Sequence, residues 1–182
     1  MDKREIEGER LRFLEDAGAG SVPHSRRTLL DHLVGVRGLL DAWRSRPALL
    51  DAGLFHSTYG TEFFSGLVPA QERDGLRALI GDEAERIVQL WSMVLRRTLA
   101  ANAGREDSFE AEARAGGALP LSRQDLCDLV TLWSADTLEQ VDRLGGRTRY
   151  QPELYALRSL APKPARVALE RVFADRPFAK SP

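Results

Sequence analysis

Seven apolar residues between Leu29 and Trp43 recur at steps of three and four: Leu29, Leu30, Leu33, Val36, Leu39, Leu40 and Trp43. That spacing keeps one face of a 3.6-residue helix apolar. The period returns in Leu49–Phe55, in Leu76–Ile80, in Ala84–Leu95 and in Leu126–Val141, while strand-type alternation is nearly absent. A chain patterned this way is restricted to an all-α fold, a compact helical bundle with short connections. The one departure is 105–120, which is polar and carries Gly116-Gly117 and Pro120. It predicts a short β-hairpin or a mobile loop.

Local signals divide the pattern. Residues 2–17 read as a first helix, ended by Gly18-Ala-Gly20. A second helix is expected from near Ser25 to Trp43. Gly35 and Gly38 inside it cost about 1 kcal/mol each relative to alanine, which predicts close packing by a neighbouring helix. Pro47 can open a third helix reaching His56, broken by Gly60. Pro69 is expected to start a fourth, and Asp82 to cap a fifth that frays near Asn102. Ser122 caps a long helix ended by Gly145-Gly146, and two short helices follow, near 152–160 and 164–174. The expected layout is a single domain over 1–176 and a loose tail over 177–182.

Length and charge narrow the function classes. The chain has 182 residues, enough for a sizeable core, and a formal net charge of −1. That charge and the lack of a basic stripe or Gly-rich phosphate loop argue against nucleic acid as a partner. No window approaches a membrane span, and the charged N-terminal residues lack the apolar core of a signal peptide. A single cysteine, Cys127, permits no internal disulfide. The expected compartment is the cytoplasm.

The stretch Leu49–Glu62 passes from an apolar helix into His56, Ser57, Thr58, Tyr59, Thr61 and Glu62. His32 lies on the buried side of its helix, and Asp136 follows Trp133 on the long later helix. Unpaired polar groups beside core residues cost several kcal/mol, so each needs a partner. Either backbone and neighbours satisfy them, or the three converge on a metal, since imidazole and carboxylate are its usual ligands. His24 would stand about 12 Å from His32 along a continuous helix, too far to share the ion. It reads instead as a substrate-facing group at the pocket edge or a cap. Tyr59 and Thr61 are candidates to orient a substrate or else parts of a hydrogen-bonded turn, and Glu62 is the first candidate general base, with a fourth ligand or a solvated charge as its alternatives. Ser57 and Arg27 are candidate substrate contacts. Arg96-Arg97 reads as an exposed helix face, and Trp43, Trp91 and Trp133 as core.

His32, the His56-Ser57 pair and Ala135-Asp136 resemble the H…HD…D pattern of HD-domain metal-dependent phosphohydrolases, above all the hydrolase domain of the (p)ppGpp synthetase/hydrolases. The stretches His24–Trp43, Leu50–Phe64 and Leu121–Gln140 also resemble an uncharacterised bacterial family of HD-like domains with an LFHSxYGT segment. The resemblance implies an HD-like bundle in which His32, His56 and Asp136 hold metal. Two departures bear on activity. Ser57 stands where the phosphohydrolases carry the Asp after the second His, and a hydroxyl is a poorer ligand than a carboxylate. Gly60 and Thr61 stand where the (p)ppGpp hydrolases carry a Glu-Asp pair, with Glu62 one residue beyond.

The expectation is therefore an HD-like metal-dependent enzyme, a hydrolase of a small polar or phosphorylated molecule. It would use one divalent ion (Mn, Fe or Zn) and a small-molecule substrate. The alternatives are a non-haem iron oxygenase on the HD scaffold and a non-catalytic HD-like binding module lacking the metal. Metal content separates the last from the others, and oxygen dependence separates the first two. Substrate and oligomeric state stay open at this point.

Overall fold

The structure, a computed structural model, describes residues 3–69, 72–146 and 148–173; the tail expected to be loose, 177–182, lies outside them. The described chain is an all-α bundle with two small antiparallel hairpins. No helix among the described residues is long and apolar enough to cross a membrane.

Among the described residues, eight α-helices follow in order: α1 (Lys3–Asp16), α2 (Leu29–Ala42), α3 (Pro47–Phe55), α4 (Arg73–Ile80), α5 (Asp82–Met93), α6 (Arg123–Gln140), α7 (Gln151–Ala156) and α8 (Lys163–Phe173). The strands are β1 (Pro23–His24) with β2 (Arg27–Thr28), and β3 (Phe109–Glu112) with β4 (Ala118–Leu121). Capping boxes start the two central helices: Thr28 with Asp31 for α2, and Ser122 with Asp125 for α6. Each box satisfies backbone N–H groups that the first helical turn leaves unbonded.

α2 packs against both α3 and α6, so the bundle core lies between the helices that carry His32, His56 and Asp136. Two glycines permit the close approach. A Cβ on Gly35 would sit 2.8 Å from Glu139 Cγ on α6, and one on Gly53 would sit 2.3 Å from Leu40 Cδ1 on α2. Gly35 thus has the packing role expected of it. Gly38 does not, since a Cβ there would meet nothing within 4 Å.

Three boundaries differ from expectation. α2 does not begin near Ser25: the chain turns at Ser25 and Arg26, both at positive φ, and β1 folds onto β2. The sequence offers no Gly or Asn there to announce such a turn. Asp82 is the first residue of α5 rather than its cap; Gly81, at φ 83°, holds the cap position. α4 starts at Arg73, later than Pro69 suggests.

The fifth helix also stops early, at Met93. Val94 pairs with Ala113, Leu95 N–H donates to Glu112 O (2.9 Å) and Arg114 N–H to Met93 O (2.7 Å). The 109–121 hairpin therefore takes up the backbone after α5 and redirects it into a 3-10 segment, Arg96–Asn102. Asn102 locks the junction, donating to Glu110 O (2.8 Å) and accepting from Glu110 N–H (3.0 Å). The hairpin expected over 105–120 is present, and its consequence is the placement of Arg96.

Candidate metal centre

His32 is fully buried on α2, one turn past the helix start. His56 caps the C-terminal end of α3 and is also buried. Asp136 comes from the C-terminal part of α6. His56 Nδ1 faces Gly53 O at 2.8 Å, a carbonyl of the last turn of its own helix. A carbonyl can only accept, so Nδ1 of this ring carries a proton and Nε2 is the nitrogen left to face the site. His32 Nδ1 faces Glu139 Oε2 at 2.5 Å. Both rings then turn Nε2 to the same oxygen, Asp136 Oδ1, at 3.1 Å from His32 and 3.6 Å from His56. The three ligand atoms lie within 4.8 Å of one another.

Carboxylates surround the rings, and cations balance them. Arg143 donates to Glu139 Oε2 (2.5 Å), and Arg96 Nη1 donates to Asp136 Oδ2 (3.2 Å). Burial acts to lower the His32 imidazole, but the bonds to Asp136 and Glu139 outweigh it and push its pKa up to about 9. Burial acts to raise Asp136, but hydrogen bonds from His32 and His56, with Arg96 beside it, hold it well below the usual carboxylate range. Glu139 is likewise lowered: burial opposes this, and His32 and Arg143 prevail.

The donor set fits a divalent ion. Two imidazole nitrogens and one carboxylate oxygen converge, and each ring is oriented by an acceptor behind it. Without a metal, a proton on His32 Nε2 supplies the missing positive charge. The site is thus a buried triad that could hold a metal ion.

The triad forms the floor of a cavity of about 310 Å³, walled by Phe63, Phe64, Trp91, Trp133 and Tyr150. His24, Ser57 and Thr61 line it. His24 gets there by a different route from the one expected. The β1–β2 hairpin folds it back until its ring lies 4.3 Å from that of His32, centroid to centroid. Burial, then the neighbouring His32, lower its pKa below the ordinary imidazole range.

Three sequence candidates lie outside the lining. Glu62 is bound by Arg96 through Nε (3.0 Å) and backbone N–H (3.3 Å). Tyr59 donates to Glu85 Oε1 (3.2 Å), where Arg73 also binds. Arg27 is half-exposed, 3.8 Å from Glu139 Oε1.

Sequence reasoning missed Arg96, which is buried rather than on an exposed helix face; only Arg97 is exposed. It also missed Glu139. The signal for Glu139 was present: Asp136, Glu139, Gln140 and Arg143 fall at i, i+3, i+4 and i+7, a polar stripe on a mostly apolar helix. Trp91 and Trp133 are core residues as expected, and both also face the cavity. Trp43 is only half-buried.

Residues 13–96 match the model of a family described as "Domain of unknown function (DUF6817)". The match carries His32 and His56 and ends at Arg96, before Asp136. No curated protein matches the chain. Among solved structures, one reported under the words "A metazoan ortholog of SpoT hydrolyzes ppGpp and plays a role in starvation responses" superposes with a TM-score of 0.64. It is 13% identical and covers 98% of this chain and 99% of its own. The fold is HD-like. At that identity the likeness carries the architecture and nothing of the substrate. The HD-like fold here brings His32, His56 and Asp136 to one point through α2, α3 and α6.

Proposed function

We propose that this chain is a metal-dependent hydrolase acting on a small polar or phosphorylated molecule, with one divalent ion held by His32, His56 and Asp136. The observation that carries this reading is the shared direction of the two rings. Each uses Nδ1 on the protein and presents Nε2 at Asp136 Oδ1. Two independently oriented rings aimed at one carboxylate oxygen on a cavity floor are a ligand set rather than a minimal core hydrogen bond. The similarity to a structure whose published title names ppGpp hydrolysis supports hydrolysis as the reaction class.

A bound ion would supply Lewis acidity and a water of lowered pKa. The chain's own residues do the rest. Glu139 and Gly53 O fix the imidazole orientations. Arg96 holds Asp136 Oδ2, so one oxygen of that carboxylate is left for an ion. Ser57 and Thr61 on the wall, with His24 above, meet the substrate. Glu62 holds Arg96 in place, and Tyr59 holds the 57–60 turn against Glu85. Hydrolysis then adds water across one bond of the substrate, hydroxyl to the electrophilic atom and proton to the leaving group.

The test is turnover of an aryl phosphate by the chain after loading with Mn²⁺, Fe²⁺ or Zn²⁺, with and without dioxygen. Oxygen-independent release of phosphate that Asp136→Asn abolishes is the expected result. Turnover only in dioxygen would favour the oxygenase reading, and no metal uptake would favour a non-catalytic module.

A further inference from the structure

Arg96 holds more hydrogen-bonding capacity than its partners use. Nε binds Glu62, Nη1 binds Asp136, and Nη2 has no partner among the described residues. The side chain is 10% exposed and lines the cavity beside Asp136. Its guanidinium stacks on Trp91 at 4.8 Å and on Phe63 at 5.4 Å from the ring centroids, which fixes its plane. A buried guanidinium with one edge free, beside a dication site carrying a single carboxylate ligand, leaves the floor with excess positive charge. Such a floor selects an anionic group.

The wall above the floor selects the rest of the ligand. Phe63 meets Tyr150 at 6.2 Å and Tyr150 meets Trp133 at 6.5 Å, ring to ring, forming an aromatic arc. Phe63 and Leu144 are apolar yet 48% and 43% exposed, and both line the mouth. Arg149 lies over the Phe63 ring at 4.4 Å. Exposed apolar side chains converging on a mouth are explained by a ligand that covers them. Among the described residues, Arg96 and Arg149 are the arginines lining the cavity and no lysine joins them, and Arg96 is already shared between two carboxylates. That suits one anionic group and not a run of phosphates.

We propose that the cavity takes a small molecule with a single oxyanionic group, phosphoryl or carboxylate, on a compact aromatic or apolar body. The anion lies against the triad and Arg96 Nη2, and the body against Phe63, Trp133 and Tyr150. This rests on the proposed metal centre for the anion's position, and on the aromatic wall alone for the body.

Calorimetric titration of the full chain, both Mn²⁺-loaded and metal-free, with four probes tests it: phenyl phosphate, inorganic phosphate, benzoate and acetate. The ring-bearing member of at least one pair is expected to bind about tenfold or more tighter than its ring-free partner, in both forms of the protein. The pair that shows the gap identifies the anionic group. Phe63→Ala, at an exposed rim position, is expected to narrow the gap, and Arg96→Lys to weaken every probe. A gap below tenfold in both pairs, or one that Phe63→Ala leaves unchanged, overturns the inference. Failure of the wild-type chain to take up Mn²⁺ would instead overturn the metal reading, while the metal-free titrations still decide the body preference.

Discussion

His32 and His56 reach the same atom from different helices: Nε2 of each points at Oδ1 of Asp136, at 3.1 and 3.6 Å. Neither ring could do so if its Nδ1 were free to turn. The protein has fixed both rings from behind, and that common aim defines the site.

Proton and metal compete for this point. His32 titrates at about 9 when no metal is bound, so at neutral pH it is an imidazolium. Metal binding must displace that proton, and affinity should fall by about tenfold per pH unit as pH drops below 9. Stability of the metal-free chain should run the other way. The raised pKa stabilises the fold fully below the ordinary value of 6.5 and loses that contribution as pH climbs to about 9. Thermal melts of chelated protein should therefore decline over this window, while titrations with Mn²⁺ tighten. Parallel slopes would contradict the assignment.

Glu139 sets the tautomer of His32. Glu139→Gln should cost about 10–100-fold in metal affinity. Gly35→Ala should act in the same direction by a steric route, because the new methyl would meet Glu139 Cγ at 2.8 Å and Oε1 at 2.9 Å. Alanine also favours the helix by about 1 kcal/mol, so stability should change little. Denaturant melts beside metal titrations check this pair, and a stability loss without an affinity loss would contradict it.

Ser57 lines the cavity and offers a hydroxyl where a carboxylate would be the better metal ligand. Arg96 meanwhile occupies Asp136 Oδ2. The wild-type chain should hold at most one tightly bound ion, and Ser57→Asp should raise occupancy. Two tight ions per wild-type chain, measured by elemental analysis, would contradict this.

The turn behind His56 has its own constraint. Gly60 sits at φ 89°, and a Cβ there would lie 2.7 Å from Phe64 O. Backbone cannot yield as a side-chain tip can. Gly60→Ala should destabilise the chain by about 2 kcal/mol or more, read as a shifted denaturation midpoint.

Much of this was legible in the sequence because it is local or periodic. The helical period placed α2, α3 and α6, the Ser122 cap placed the start of α6, and apolar neighbours marked His32, His56 and Asp136 as buried. What escaped depends on contacts distant in sequence. The Ser25-Arg26 turn is held by α6: Ser25 Oγ donates to Gln140 Oε1 at 2.8 Å, and Arg143 Nε donates to Ser25 O at 3.0 Å. Nothing between Pro23 and Thr28 signals those partners, so His24 could not be placed over His32. Arg96 escaped because α5 ends by pairing with a hairpin some twenty residues later, without a Gly or Pro to mark the stop.

The central claim is that His32, His56 and Asp136 bind metal. The most direct measurement is the metal content of untagged protein, purified without chelator and incubated with Mn²⁺, for the wild-type chain and for His56→Ala, with helical content followed by circular dichroism. About one ion per wild-type chain and none in His56→Ala, at similar helicity, is the expected result. Full metal occupancy in His56→Ala, or none in the wild-type chain, would contradict it.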